Sequence, residues 1–261
     1  MKGSSGGAGD PETAHLAPPK EPMKIALLSD IHANFPALCV ALEHASAAGA
    51  DRVLCAGDLV GGGPHPTEVI RLLMEQRLPA VAGNVDRKVC ALASDPKRLR
   101  RASHHRKRAP LAWTAKVLGP AELNWMTALP GSLRLSAGGA EILLVHGSPL
   151  ADTDYIFPSI TEPALLAKLG AERPELLACG HSHIPFVRTV AGVLVVNSGS
   201  VGRPVDGDPR GSYALVELRE GAPPRARIVR FSYPVDSVVA DLRKRRVPRA
   251  MPEDLVRGVR R

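Results

Sequence analysis

The sequence is poor in aromatic residues and cysteines, and it has no long apolar run. Aromatic residues make up 3% of the 261 residues, whereas 44% are hydrophobic, so an aliphatic core is expected. A core of this size suits one large α/β domain or two small ones. No apolar run approaches the length of a membrane-spanning helix, which argues against a membrane protein.

The few cysteines argue against disulfides and thiolate metal sites. None of Cys39, Cys55, Cys90 and Cys179 forms a Cys-x-x-Cys pair, and three fall in or beside predicted apolar elements. Reduced, mostly buried thiols of this kind are typical of a cytoplasmic protein. Residues 1–22 are rich in Gly, Pro, Ser and Glu and have no apolar segment. We therefore predict a disordered leader there, which is neither a secretory signal nor a membrane anchor.

Positive charge is concentrated in two blocks of a chain whose net charge is +8. The first block covers residues 97–108, and the second closes the chain over residues 243–261. Such clusters favour phosphorylated or otherwise anionic partners, whereas a solvated helix face and a loose tail are the simpler interpretations. Neither block carries the interleaved aromatic residues that stack bases, so nucleic acid is an allowed but not a favoured partner.

The order of apolar runs and helical patterns predicts a layered α/β fold. Three apolar runs, at residues 24–28, 52–56 and 79–82, are each followed by a polar turn and a helical pattern. This alternation is typical of a parallel, doubly wound layer. From residue 132 onwards, short strands separated by Gly-rich turns dominate. We therefore expect two sheets packed together, with helices outside.

The predicted domain covers residues 23–247. Within it, residues 86–129 form a polar, helical insertion that is expected to cap one edge of the sheet. Such an insertion either shapes substrate choice or forms a dimer contact. In the second case the protein would be a homo-oligomer. Residues 248–261 are predicted to form a basic tail.

Polar side chains follow five of the predicted strands, at the point where each strand ends. They comprise two aspartates, one asparagine and four histidines: Asp30 with His32, Asp58, Asn84, His146, and His181 with His183. Taken singly, each has a simpler explanation as a helix cap, a turn residue, a buried core histidine or a loop residue. Because strand ends on one side of a sheet converge, the seven together predict a site for two divalent metals (Mn, Fe, Co, Ni or Zn), with Asp58 as the natural bridge.

The same residues carry a resemblance to a known family. The run Asp30-x-His32, Gly57-Asp58, Gly83-Asn84, His146-Gly147 and Gly180-His181-Ser182-His183 resembles the calcineurin-like metallophosphoesterase superfamily. It is most similar to the small bacterial and archaeal phosphodiesterases of the YfcE type. The resemblance covers about residues 23–235. It implies a four-layer α/β/β/α sandwich of two mixed sheets flanked by helices, with a centre of two divalent ions, manganese being expected first.

The resemblance also implies roles for individual residues. Asp30, His32, Asp58 and His183 would hold one metal, and Asp58, Asn84, His146 and His181 the other. Asp58, Asn84 and His146 are the expected catalytic residues, and Asn84 can also bind substrate through its amide end. Asn34 is expected either to bind the substrate phosphate or to hold the loop of Asp30, with equal weight.

Val85 departs from the family pattern. Many members have a histidine after the asparagine, followed by Asp or Glu, and that histidine helps bind phosphate or protonates the leaving group. Valine cannot donate a proton, so we expect a preference for good leaving groups such as activated aryl phosphodiesters. The YfcE type often lacks this histidine as well. Asp86 is expected to cap the following helix.

These features predict a metal-dependent phosphoesterase that hydrolyses small phosphodiesters, with nucleotides or phosphomonoesters as further candidate substrates. Two cations would hold a bridging hydroxide, aim it at phosphorus and offset the charge of the phosphate oxygens. Two alternatives remain. One is a nuclease or nucleic-acid-processing enzyme of the same fold, and the other is a non-catalytic scaffold, as a retromer subunit of similar fold is. A scaffold would be expected to lose metal ligands, whereas this chain has all seven.

Overall fold

Two β-sheets lie at the centre of the fold, in a computed structural model that describes residues 21–248 and 252–259. The strands are β1 (Met23–Leu28), β2 (Arg52–Cys55), β3 (Ser132–Ala137), β4 (Ala140–Val145), β5 (Leu176–Cys179), β6 (Phe186–Val190), β7 (Val193–Asn197), β8 (Gly211–Arg219) and β9 (Ala222–Phe231). The helices are α1 (Phe35–Ala47), α2 (Pro66–Glu75), α3 (Asn84–Ala93), α4 (Pro96–His104), α5 (Ala109–Val117), α6 (Pro120–Ala128), α7 (Glu162–Leu169), α8 (Val235–Lys244) and α9 (Pro252–Arg257).

The first sheet has the strand order β2-β1-β8-β9 and is mixed. β1 pairs with β2 in parallel, as predicted, but its other neighbour is the antiparallel β8. The expected third parallel strand at residues 79–82 is reduced to a single bridge between Cys55 and Ala80. Pairing stops there because the next N–H that faces β2, that of Gly83, donates to the carboxylate of Asp86 instead. The prediction of a parallel, doubly wound layer from the first three apolar runs is therefore wrong, whereas the predicted mixed character of the sheet is confirmed.

The second sheet has the strand order β3-β4-β5-β7-β6. β3 and β4 form a hairpin, and Gly138 and Gly139 occupy its turn with φ of +54° and +80°. Positive φ at both turn positions matches the right-handed twist of the paired strands and is easiest for glycine. β5 lies parallel to both β4 and β7, so the carboxyl ends of β4 and β5 point the same way.

The two sheets pack face to face and expose their outer faces to helices. Along β1, Ile25 and Leu27 point towards the second sheet, whereas Ala26 and Leu28 point towards the helices. This alternation follows from the two-residue period of a strand. The helix α7 covers the outer face of the second sheet through residues such as Leu165. The predicted four-layer α/β/β/α sandwich is thus confirmed.

The remaining helices extend the layer outside the first sheet. The range predicted as a helical insertion contains most of α3 and all of α4, α5 and α6, which pack on one another and beside α2. The range predicted as a basic tail contains α9, whose Leu255 is buried. Of the predicted leader at 1–22, residues 1–20 lie outside the described residues. In the part of the chain that the structure describes, no helix combines the length and apolar character needed to cross a membrane.

Candidate metal centre

The loops after β1, β2, β4 and β5 meet at one edge of the sandwich, where the two sheets come together. They bring six ligand-type side chains into two groups, Asp30 with His32 and His183, and Asp58 with His146 and His181. Within each group the candidate ligand atoms all lie within 4.8 Å of one another. The seventh predicted residue, Asn84, is the first residue of α3 and lies beside Asp58. Oδ1 of Asp58 accepts a hydrogen bond from the backbone N–H of the residue after Asn84, Val85, at 2.8 Å.

The backbone at these positions is strained. Asp30, His32, Asp58, His181 and His183 have φ between +50° and +65°, in the left-handed region. Such conformations cost free energy for residues with a Cβ, so they persist only where the surrounding structure enforces them. Five of the seven predicted site residues share this feature, and it turns their side chains into the space between the loops.

Glycines before the site residues allow the loops to approach closely. A Cβ on Gly83 would lie 2.1 Å from Oδ1 of Asp58, and a Cβ on Gly180 would lie 1.8 Å from the hydroxyl oxygen of Ser29. A Cβ on Gly57 would lie 2.7 Å from the backbone nitrogen of Gly83. The repeated Gly-Asp, Gly-Asn and Gly-His pairs of the sequence therefore have a packing cause.

Backbone carbonyls orient the imidazole rings. The Nδ1 atoms of His32, His146 and His183 lie 2.9, 2.8 and 2.5 Å from the carbonyl oxygens of Gly61, Ala56 and Arg203. Each Nδ1 must carry the proton to donate to a carbonyl, which leaves Nε2 as an unprotonated acceptor. A ring held in this way by an outer partner is the arrangement that metal-binding histidines adopt. His181 also makes a hydrogen bond to backbone, at Thr153.

Asp58 faces both groups. Its Oδ1 lies 3.4 Å from Nε2 of His146, and its Oδ2 lies 3.8 Å from Nε2 of His32. In the other group, Oδ1 of Asp30 lies 3.1 Å from Nε2 of His183. Oδ2 of Asp30 is held by the hydroxyl of Ser29 and the backbone N–H of His181, at 2.6 and 2.9 Å.

Several buried polar atoms of the site have no hydrogen-bond partner within the described residues. They are Oδ1 of Asp30, Oδ1 of Asn84 and Nε2 of His146. A buried acceptor without a partner costs free energy, so it normally has an explanation. Carboxylate, amide and imidazole acceptors that converge without donors fit cations and suit borderline transition metals. The residues present therefore fit a metal centre.

Burial shifts the pKa values of these groups. It lowers the pKa of His32 well below the ordinary value, with a further lowering from His183, and it lowers the pKa of His181 to about 4. Both imidazoles are therefore neutral at pH 7, the form that binds metals. Burial raises the pKa of the Asp58 carboxyl to about 7, against the attraction of His146. A neighbouring cation would favour its ionised form.

Asn34 and Asp86 support the loops. Asn34 is buried, its Oδ1 accepts from the N–H of Ala37 at the start of α1, and its Nδ2 donates to the carbonyl of Gly202. Both ends of the amide are thus engaged, which favours the loop-holding role over the predicted contact with substrate. Asp86 accepts the N–H of Gly83 and caps α3 as expected, and it also accepts those of Leu59 and Val60.

Sequence reasoning missed Tyr155. Its ring stacks on that of His181 with centroids 4.2 Å apart, and on that of Phe157 with centroids 5.2 Å apart. Both aromatic side chains are about 40% exposed, at 43% and 42%. No local pattern marks Tyr155, because only the fold brings its ring against that of His181.

Comparisons with known proteins find similar sequences along most of the chain. Residues 23–221 match the family model of the calcineurin-like phosphoesterase superfamily domain. Uncharacterized protein MJ0912 of Methanocaldococcus jannaschii is 28% identical over 253 residues, which cover 90% of this chain and 98% of that protein. Phosphodiesterase YfcE of Escherichia coli K12 is 27% identical over 205 residues, which cover 75% of this chain and 88% of that protein.

Solved structures share the fold along nearly the whole chain. A metallophosphoesterase from Sphaerobacter thermophilus superposes with a TM-score of 0.71 at 28% identity, covering 91% of this chain and 99% of its own. Protein PH1004 from Pyrococcus horikoshii OT3 superposes with a TM-score of 0.80 at 24% identity, covering 92% of this chain and 100% of its own.

Proposed function

Because the chain belongs to the calcineurin-like phosphoesterase superfamily, as its motifs predicted, we propose that it is a metal-dependent phosphodiesterase acting on small phosphate esters. The observation that carries this proposal is the arrangement of six ligand-type side chains in two groups, with Asp58 facing both. The phosphodiesterase name of the E. coli relative supports the reaction class.

Two divalent ions fit the two groups of side chains. Asp30, His32, Asp58 and His183 would hold one ion, and Asp58, Asn84, His146 and His181 the other. Manganese is our first expectation, and Fe, Ni, Co and Zn suit the same oxygen and nitrogen donors. When bound, the ions would lower the pKa of a nucleophilic water and offset the negative charge of the phosphate oxygens.

The side chains around the ions determine which esters react. The amide of Asn84 offers an oxygen to a cation and N–H donors to a phosphate oxygen. The next side chain, Val85, offers no proton to a departing alkoxide, so the leaving group must depart as an anion. We therefore propose diesters with good leaving groups, such as aryl phosphodiesters, as the best substrates.

We also propose that the protein acts in the cytoplasm on a small ester and not on nucleic acid. All four cysteines are free, and burial raises the pKa of Cys55 and of Cys179 to about 12, which makes these thiols unreactive. The first basic block, residues 97–108, has no aromatic side chain on which a base could stack.

The experiment is hydrolysis of bis-p-nitrophenyl phosphate and p-nitrophenyl phosphate by metal-stripped protein, with and without Mn²⁺. We expect Mn²⁺-dependent cleavage, faster for the diester, with at least a hundredfold loss in Asp58→Ala and His146→Ala. Asp236→Ala and His44→Ala remove the same side-chain types at exposed positions outside the site and should retain activity. A folded, metal-binding protein that cleaves neither ester with any divalent metal would favour the scaffold alternative.

A further inference from the structure

A second feature of the molecule is a pocket of about 300 Å³ among α3, α4 and α5, outside the two groups of metal-ligand residues. Four cationic side chains line it: Lys88 on α3, Arg98 and Arg101 on α4, and Arg108 at the start of α5. Leu92 and Leu111 contribute an apolar floor. A pocket of this size lies at the lower end of the range for small-molecule sites.

The pocket concentrates positive charge. No acidic residue lines it, and among the described residues none of the four cations has a carboxylate within ion-pair distance. Asp95, the N-cap of α4, accepts the N–H groups of Lys97 and Arg98 and attracts the charges of Arg98 and Arg101, so one carboxylate faces four cations. Four like charges around an apolar floor repel one another, and an anionic ligand would relieve that repulsion.

The pocket adjoins the metal centre along α3. Lys88 lies four residues, about one helical turn, after Asn84 and on the same face of the helix. Leu111, which lines the pocket, and Val85, which follows Asn84, both pack against Gly61. A Cβ added to Gly61 would lie 3.2 Å from the side chain of Leu111 and 2.3 Å from that of Val85. The carbonyl of Gly61 in turn orients His32. The metal centre and the pocket are therefore neighbours that share α3 and the packing of Val85 and Leu111 against Gly61.

We propose that this pocket binds a second phosphate group of the substrate, so that the preferred substrates are phosphodiesters that carry a further phosphate. The cations bind that phosphate, and the apolar floor packs against the carbon skeleton between the two phosphorus atoms. The proposal rests on the phosphodiesterase function above and defines its substrate class. It also gives the helical insertion and the first basic block a common role.

The kinetic test compares p-nitrophenyl thymidine 5′-phosphate with the same ester carrying a 3′-phosphate. The double variant Arg98→Ala/Arg101→Ala should raise the KM of the 3′-phosphorylated ester about tenfold and leave the KM of the plain ester unchanged. The matched control is Lys97→Ala/Arg100→Ala, which removes equal charge from the same helix outside the pocket. Equal KM changes in the two double variants, or for the two esters, would overturn the proposal.

A binding test separates this proposal from the proposed reaction. Calorimetry of thymidine 3′,5′-bisphosphate with the metal-free full chain should give about tenfold weaker binding to the Arg98/Arg101 variant than to the control variant. If no variant hydrolyses either ester, the proposed reaction is wrong, but the binding measurement still tests the proposed phosphate pocket. Equal affinities of the two variants would contradict the phosphate pocket. Tighter binding of a single-stranded oligothymidylate, lost in the same variant, would assign the pocket to nucleic acid and also overturn the proposal.

Discussion

Backbone carbonyls decide which nitrogen of each histidine can face a metal. The Nδ1 atoms of His32, His146 and His183 donate to carbonyls that lie 29, 90 and 20 residues away in the chain. Residue types at strand ends allowed the sequence to predict which side chains meet. The orienting carbonyls could not be predicted, because any residue supplies one and only the fold brings it near. Tyr155 was missed for the same reason.

Tyr155 is expected to support His181 through ring stacking. Tyr155→Ala should weaken binding of Mn²⁺ roughly tenfold, because an unsupported imidazole must be ordered when the ion binds. Tyr155→Phe keeps the stacked ring and should retain the affinity. Competition with a fluorescent chelator measures both values. Equal weakening in the two variants would show that the hydroxyl, and not the stacked ring, matters.

At the scale of secondary-structure elements, the strand ends were predicted better than the partners of the strands. The apolar run at 24–28 and its polar turn are local features, so β1 and the residues that follow it could be located from the sequence. The run at 79–82 has a similar composition, yet the N–H of Gly83 donates to Asp86 and pairing ends. The sequence predicts that Asp86 caps a helix, but it does not show that the same carboxylate takes the next donor of the strand. The short α9 was not predicted, because its segment has few apolar residues among many charged ones.

The close packing of the loops after β2 and before α3 predicts the effect of adding one methyl group. In Gly83→Ala the new Cβ would collide with Oδ1 and the backbone nitrogen of Asp58, at 2.1 and 2.2 Å. We expect a loss of roughly 1–3 kcal/mol in the free energy of unfolding, together with weaker metal binding. Gly131→Ala is the control, because its new Cβ would meet only the flexible end of Arg87. Chemical denaturation of both variants tests the difference.

His65 connects α2 to α8 and predicts a pH dependence of stability. Its Nε2 lies 3.0 Å from Oδ2 of Asp241, while its buried Nδ1 has no partner among the described residues. Burial lowers its pKa despite the nearby carboxylate. As the pH falls, His65 is therefore protonated in the unfolded chain before it is protonated in the folded protein. The contribution of neutral His65 to the free energy of unfolding is present above about pH 6.5 and is lost as the pH falls.

His65→Gln keeps a donor for Asp241 and removes the titration. Between pH 7.5 and 5.5, the free energy of unfolding should fall more in the wild type than in this variant. The difference in slope is at most about 1.4 kcal/mol per pH unit, the limit for one proton. Urea unfolding at several pH values measures it, and parallel slopes would show that His65 titrates alike in both states.

At the scale of the whole molecule, the candidate site combines loops from both sheets, and these loops are far apart in the sequence. The residues after β1 and β2 come from the first sheet, and those after β4 and β5 from the second. β8 pairs with β1 and β9 pairs with β8, so the first sheet combines strands from the beginning and the end of the domain. The strand pattern predicted two packed sheets and the motif resemblance implied this sandwich, both correctly, but neither located the pairing of β8 with β1. Long-range pairing of this kind has no local signal.

Metal stoichiometry together with electron paramagnetic resonance of the Mn²⁺-loaded protein shows whether two metal ions share Asp58, as we propose. We predict two Mn²⁺ per chain and the spectrum of a spin-coupled pair in the wild type. Asp58→Ala should lose the coupling and at least one ion, whereas Asp236→Ala should keep both. One ion per chain in the wild type, or a coupled pair that survives in Asp58→Ala, would contradict the account.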